Sequence, residues 1–272
     1  MVPVEQDLVV LPGGLHVWGR EATLSGVPGD RVERQSQGHT LHLMESPGWR
    51  KLSTDKVVVM GDVPDQALKT LAVTAEELLR MLDQQIGGPE QRYIYKIRIF
   101  DKREDFCNYA RACGAGNALS LYYPHTREMA VQFGPNTSLE DFEQTYAHEF
   151  VHAYMDLVYQ VTEPLWFAEG MAEYFSHLRW TARGYRPTKK NWKAMMHLGG
   201  EKLFSLSEIV NAGRNAIYGF EFPLYYAQCW SVVHFLLHKH PDVIEGLLKR
   251  ETFDISLLSD EYNAYLLKLT GN

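Results

Sequence analysis

Cysteine is scarce in this chain: Cys107, Cys113 and Cys229 are the only three in 272 residues. They form no Cys-x-x-Cys pair and no even framework, which excludes a disulfide scaffold and a cysteine-bound zinc. A Cys107–Cys113 bridge in an oxidising compartment is the one pairing left open. Long apolar runs are missing too. Trp230 to Leu237 is interrupted by His234 and falls far short of the ~20 residues a membrane span requires, so no membrane span is expected. Positive charge is in deficit, 27 Lys and Arg against 34 Asp and Glu, for a net charge of -7. Nucleic acid is therefore excluded as a partner, because phosphate recognition needs a basic surface that releases counterions. The one locally basic stretch, Arg179 to Lys193 with Arg183, Arg186, Lys189 and Lys190, reads as a solvated loop, with an acidic substrate as the alternative. Val2, Pro3, Val4 and Glu5 follow Met1 with neither a basic nor an apolar segment, so no secretion signal is read there. Repeats, low-complexity tracts and Ser- or Pro-rich linkers are also lacking.

What is present is 45% hydrophobic, enough for one substantial core or a large domain with a smaller lobe. The first fifty residues hold short strand-like runs, Asp7 to Leu11 and Thr40 to Met44, punctuated by Pro12-Gly13-Gly14 and Pro28-Gly29-Asp30. A strand around Lys56 to Met60 precedes a long amphipathic helix from about Pro64 to Gln85, with Leu68, Leu71, Ala72, Leu78, Leu79 and Leu82 as its buried stripe. Tyr93 to Phe100 alternates apolar residues with Lys and Arg, as a strand covered on one face would. A short helix through Glu104 to Arg111 should follow, then strands Ala118 to Tyr123 and Glu128 to Phe133 about the turn Pro124-His125-Thr126-Arg127. From Ser138 the pattern becomes helical. This order implies an α+β fold: a small mixed sheet with a helix, then a mainly helical half. Three segments are expected: a β segment at 1–50, an α/β lobe at 51–136 and a helical lobe at 137–272.

Ser138-Leu139-Glu140-Asp141 is a capping-box signature that opens a helix running to about Tyr159. Within it stands His148-Glu149-Phe150-Val151-His152. At 3.6 residues per turn the two histidines project from one face, where both imidazoles can reach one ion at ~2.0 to 2.1 Å. Glu149 lies about 100° round the helix, placed to take a proton from water activated by that ion. Phe150, Tyr154, Leu157 and Val158 fall on the opposite, core-directed face. After Thr162-Glu163-Pro164 a second helix reads Leu165-Trp166-Phe167-Ala168-Glu169-Gly170-Met171-Ala172-Glu173-Tyr174-Phe175. Glu169 and Glu173 share a face, while Gly170 and Ala172 are small enough to let the two helices approach closely. Two histidines and one carboxylate leave a fourth tetrahedral position for water, the arrangement of a catalytic zinc.

These two helices resemble the gluzincin branch of the zinc peptidases, and most closely the peptidase-MA-like domains of bacteria. The likeness rests on His-Glu-x-x-His followed, after 16 intervening residues, by Glu169 within a Trp-Phe-Ala-Glu-Gly-Met-Ala-Glu-Tyr-Phe helix, and extends over about Lys51 to Leu267. It implies a zincin-like fold, one Zn2+ held by His148, His152 and Glu169, Glu149 as general base, and Glu173 accepting a hydrogen bond from a ligand histidine, His148 foremost. It also implies Tyr226 as the oxyanion donor, with Tyr225, Tyr218 and His234 as rivals. The strand Glu128 to Phe133 is the candidate substrate cradle, since an extended peptide adds to an exposed sheet edge; an ordinary half-buried strand is the alternative. The chain departs from the aminopeptidases of this clan in having no Gly-x-Met-Glu-Asn segment before the zinc helix, which argues against recognition of a free amino terminus. The function implied is hydrolysis of a peptide or protein substrate. The alternatives are a catalytically idle zinc domain that binds a partner, and an amide hydrolase acting on a non-protein substrate. His125, His177, His197, His238 and His240 lack ligand spacing and read as surface or structural residues.

Overall fold

The computed structural model describes residues 8–11, 15–18, 48–88, 93–115, 118–133, 139–181, 184–187, 191–199, 203–213 and 222–271. Thr40 to Met44, the two early Pro-Gly turns, Ser138, Arg183, Lys189, Lys190 and Tyr218 lie outside the described residues. The architecture is mixed α/β with a mainly helical second half. The chain divides into two compact units, Met1–Ala153 and Tyr154–Asn272. The division falls inside the helix that carries the histidines, later in the chain than the expected lobe boundary at 136/137.

The first unit begins with a hairpin, β1 (Leu8–Leu11) and β2 (Leu15–Trp18). Its body is a five-stranded sheet in the order β3-β4-β5-β7-β6, built from β3 (Arg50–Ser53), β4 (Val57–Gly61), β5 (Tyr95–Phe100), β6 (Ser120–Tyr123) and β7 (Glu128–Gln132). β4, β5 and β7 run parallel, and the edge strands β3 and β6 are antiparallel to their neighbours. Helix α1 (Asp65–Ile86) joins β4 to β5, and α2 (Arg103–Ala112) follows β5. The sequence stripe is the buried one: Leu68, Leu71, Ala72, Leu78, Leu79 and Leu82 are all enclosed. The helix stops where Gly87 takes φ +70, a conformation that costs glycine little.

Two expectations for this sheet are corrected. β5 is covered on both faces, not one: Arg98 is 2% exposed, and its guanidinium donates to the Glu128 carboxylate from Nε at 2.9 Å and Nη2 at 3.3 Å. The Tyr109 hydroxyl donates to the same carboxylate at 3.3 Å, and Arg98 lies over the Trp49 ring at 5.8 Å. A cation can occupy a sheet interior only when partnered in this way. Secondly, the strand at Glu128 is interior, between β5 and β6; among the described residues the edge strands of this sheet are β3 and β6.

The register assigns faces. Ser120 pairs with Val131, Val131 with Ile99, and Ile99 with Gly61, so these residues share one face of the sheet. The other face carries Phe100, Ala130 and Leu121, which pack with Phe106, Tyr109 and Ala110 of α2. Helix α3 (Leu139–Tyr154) is anchored to the first face by an aromatic ladder. Phe142, Tyr146 and Phe150 stand one turn apart; Phe133 packs edge-on to Phe142 at 5.1 Å, and Tyr95 stacks on Phe150 at 5.1 Å. The Tyr146 hydroxyl donates to the Leu71 carbonyl at 2.9 Å, tying α3 to α1. Each such ring pair adds about 0.5–1.5 kcal/mol beyond its buried area.

In the second unit the helix closes with a π-helical turn, Met155–Tyr159, and ends where Gln160 adopts φ 56. Then come α4 (Leu165–Ser176), a hairpin of β8 (Leu178–Thr181) and β9 (Gly184–Pro187), α5 (Trp192–Leu198), α6 (Leu206–Val210), α7 (Phe222–Lys239), α8 (Pro241–Leu248) and α9 (Ser259–Thr270). The hairpin corrects the expectation of a solvated loop at Arg179 to Lys193, because Leu178–Thr181 pairs antiparallel with Gly184–Pro187. Helix α7 is the spine of this unit, with Cys229, Trp230, Val232, Val233, Phe235 and Leu236 all fully enclosed. Among the described residues no helix is long and apolar enough to cross a membrane. Cys107, Cys113 and Cys229 are free thiols.

Candidate metal centre

The ladder on the core side of α3 fixes the direction of the opposite face. There Nε2 of His148 and Nε2 of His152 lie 3.1 Å apart, with ring centroids 4.8 Å apart and planes at 73°. Two nitrogens bound to one tetrahedral ion at ~2.0–2.1 Å would stand about 3.3–3.4 Å apart. The observed separation is therefore already close to that of a chelating pair. Both histidines are half-buried.

Glu169 is 4% exposed and sits among Trp166, Phe167, Ala168, Met171 and Ala172, all buried. A carboxylate enclosed to that degree in an apolar helix needs a cation or a set of donors to remain ionised. Among the described residues, His148, His152 and Glu169 form a group whose donor atoms all lie within 4.8 Å of one another. Two neutral imidazoles and one carboxylate are a donor set suited to zinc, and the residues present fit the ion.

Glu149 follows His148 and is itself buried, at 8% exposure. Its Oε1 accepts a hydrogen bond of 2.6 Å from the Ser120 hydroxyl on β6. Sequence reasoning did not single out Ser120: a serine on a short strand carries no motif, and 29 residues separate it from Glu149.

The remaining candidates separate by their contacts. Gly170 serves a different pair of helices from the one expected. A β-carbon there would meet the Cys229 carbonyl oxygen at 2.6 Å and Val233 Cγ2 at 2.6 Å, so the missing side chain admits α7. Burial pushes the Cys229 thiol well up, and the nearby charges of Glu169 and Glu173 push it further. Glu173 also lies 3.9 Å from His177 Nδ1, a nitrogen that Asn191 approaches at 3.1 Å. Of the tyrosines proposed as oxyanion donors, Tyr225 is buried and donates to the Ile209 carbonyl at 2.9 Å. His234 is bonded through Nδ1 to the Tyr265 hydroxyl at 2.7 Å and stacked on His238 at 4.2 Å. Tyr226 is half-buried and, by helical spacing, shares the face of α7 that carries Cys229 and Val233.

Three of the histidines that lack ligand spacing have their own surroundings. His240 pairs with Glu261 at 3.0 Å, His238 Nδ1 lies 2.7 Å from the His234 carbonyl, and His197 is exposed. No protein-family model matches this chain, and no curated protein matches it in sequence.

Proposed function

We propose that this chain is a zinc-dependent peptidase of the gluzincin type with a zincin-like fold. The observation that carries the reading is the convergence of donor atoms from His148, His152 and Glu169 within 4.8 Å. In this reading the adjoining Glu149, one of whose carboxylate oxygens is engaged by Ser120, is the general base. Zinc, held by those three residues, would supply Lewis-acid activation of water and of the scissile carbonyl. Glu149 accepts the proton of the attacking water on its other oxygen, Oε2, and returns it to the departing amine. Tyr226 donates its hydroxyl to the developing oxyanion. Glu173 holds a ligand histidine in the tautomer that leaves Nε2 free. An extended peptide pairs with the edge strand β6, which brings its main chain alongside Ser120 and Glu149.

The test compares zinc content and turnover of an unstructured protein substrate for the parent and Glu149→Gln. The variant should retain one zinc per chain and lose about 10²- to 10⁴-fold in kcat, and a chelator should silence the parent reversibly. Full activity in Glu149→Gln removes the base. Zinc in both proteins with turnover in neither supports a partner-binding zinc domain instead.

A further inference from the structure

We infer that Ser120 is a positioning residue for Glu149: its hydroxyl sets which carboxylate oxygen faces the reaction, an inference that rests on the peptidase reading above. The 2.6 Å separation is a direct hydrogen bond at the short end of the O–H···O range. A serine hydroxyl has one proton. Spending it on Oε1 commits Glu149 to the role of acceptor and leaves Oε2 as the oxygen that can receive a proton from water.

The fold delivers the hydroxyl to that point. Successive strand residues face opposite sides of a sheet. Leu121 is buried against α2 with Phe106 and Tyr109, so Ser120 and Tyr122 must face the other way, toward the α3 side. Ser120 is held in register by Val131 of β7, and Tyr95, which stacks on Phe150, lies on the same face of the sheet. Helix α3 is therefore clamped next to the strand that supplies the hydroxyl. A glutamate side chain has three rotatable torsions, and the helix restrains mainly the first. The serine removes the freedom that remains. Since β6 is an edge strand of the sheet, the strand that would pair with substrate also carries the group that orients the base.

The experiment uses the zinc-loaded full chain with Ser120→Ala and Ser120→Thr. Both should bind one zinc. Alanine should lower kcat about 10- to 100-fold with KM within about twofold, and threonine, which keeps the hydroxyl, should recover most of the loss. Crystal structures of the zinc-loaded proteins give a readout independent of turnover: Glu149 holds one rotamer in the parent and in Ser120→Thr, and spreads over several in Ser120→Ala. Should Ser120→Ala not fold, Ser120→Cys, similar in shape but a weak donor, takes its place in both measurements. Undiminished kcat in a folded variant lacking the hydroxyl, or an unchanged Glu149 rotamer there, overturns the assignment. A parent that hydrolyses no peptide sinks the peptidase reading, and the rotamer comparison then decides on Ser120 alone.

Discussion

Replacing Gly170 by alanine sets two effects of opposite sign against each other. In the interior of an exposed helix the change would stabilise by about 1 kcal/mol, because glycine loses more backbone freedom on folding. Here the added carbon would lie 2.6 Å from the Cys229 carbonyl oxygen, 2.6 Å from Val233 Cγ2 and 3.0 Å from the Cys229 carbonyl carbon. Comfortable contact is ~3.5–4.0 Å, so about 1 Å of overlap must be relieved. Val233 cannot turn aside cheaply, since a β-branched side chain has one strongly preferred rotamer in a helix. The Cys229 carbonyl belongs to the backbone of α7 and moves only with it. Relief therefore requires α4 and α7 to part, and overpacking of this kind costs about 1–3 kcal/mol. With a backbone carbonyl and a stiff valine on the receiving side the clash falls toward the upper end of that range and outweighs propensity, for a net destabilisation of up to about 2 kcal/mol and a fall in Tm of up to about 8 °C. Urea unfolding followed by circular dichroism measures the first quantity, and a chelator competition measures zinc affinity, which should weaken because Glu169 precedes the displaced residue. A Gly170→Ala protein as stable as its parent, or more so, would refute the claim that the two helices touch through this glycine.

The tyrosines of α7 should divide their roles: Tyr226→Phe lowers kcat about 10²- to 10³-fold with zinc retained, and Tyr225→Phe costs about 1 kcal/mol of stability through its lost bond to Ile209 with kcat little changed; the reverse pattern in paired kinetics and melts would exchange the assignments. Stability should also fall in alkali. Burial holds the hydroxyls of Tyr95, Tyr109 and Tyr262 above the ordinary tyrosine value, and for Tyr109 the charge of Glu128 adds to it. The folded chain then keeps these protons while the unfolded chain releases its own near pH 10, so this contribution is intact below pH 10 and is lost as pH rises through the raised folded values. The slope is about 1.4 kcal/mol per pH unit for each tyrosine. Melting temperatures between pH 8 and 11 should turn down near pH 10, less steeply for Tyr262→Phe; a flat profile contradicts the burial argument.

The helices were legible because they are written in local periodicity. The stripe Leu68, Leu71, Ala72, Leu78, Leu79 and Leu82 and the i, i+4 pair His148 and His152 need only the pitch of a helix to be placed. Strands were legible as strands, yet their order was not. Glu128 to Phe133 and Ala118 to Tyr123 look alike in sequence, and which of them forms the edge depends on β7 inserting between β5 and β6. Arg98 misled for a similar reason: a charged residue on an alternating strand signals a solvated face unless a partner as distant as Glu128 folds against it.

By itself, then, the sequence determined the candidate ligand types and their helical spacing, the amphipathic face of each long helix, and the absence of a cysteine framework. These follow from neighbours a turn or less away. Only the tertiary structure decided that β6 and not β7 is an edge strand, that Ser120 reaches Glu149, and that Gly170 admits α7. Each of those depends on the packing of segments remote in the chain, where the deciding quantity is a contact of a few ångströms that no local pattern encodes.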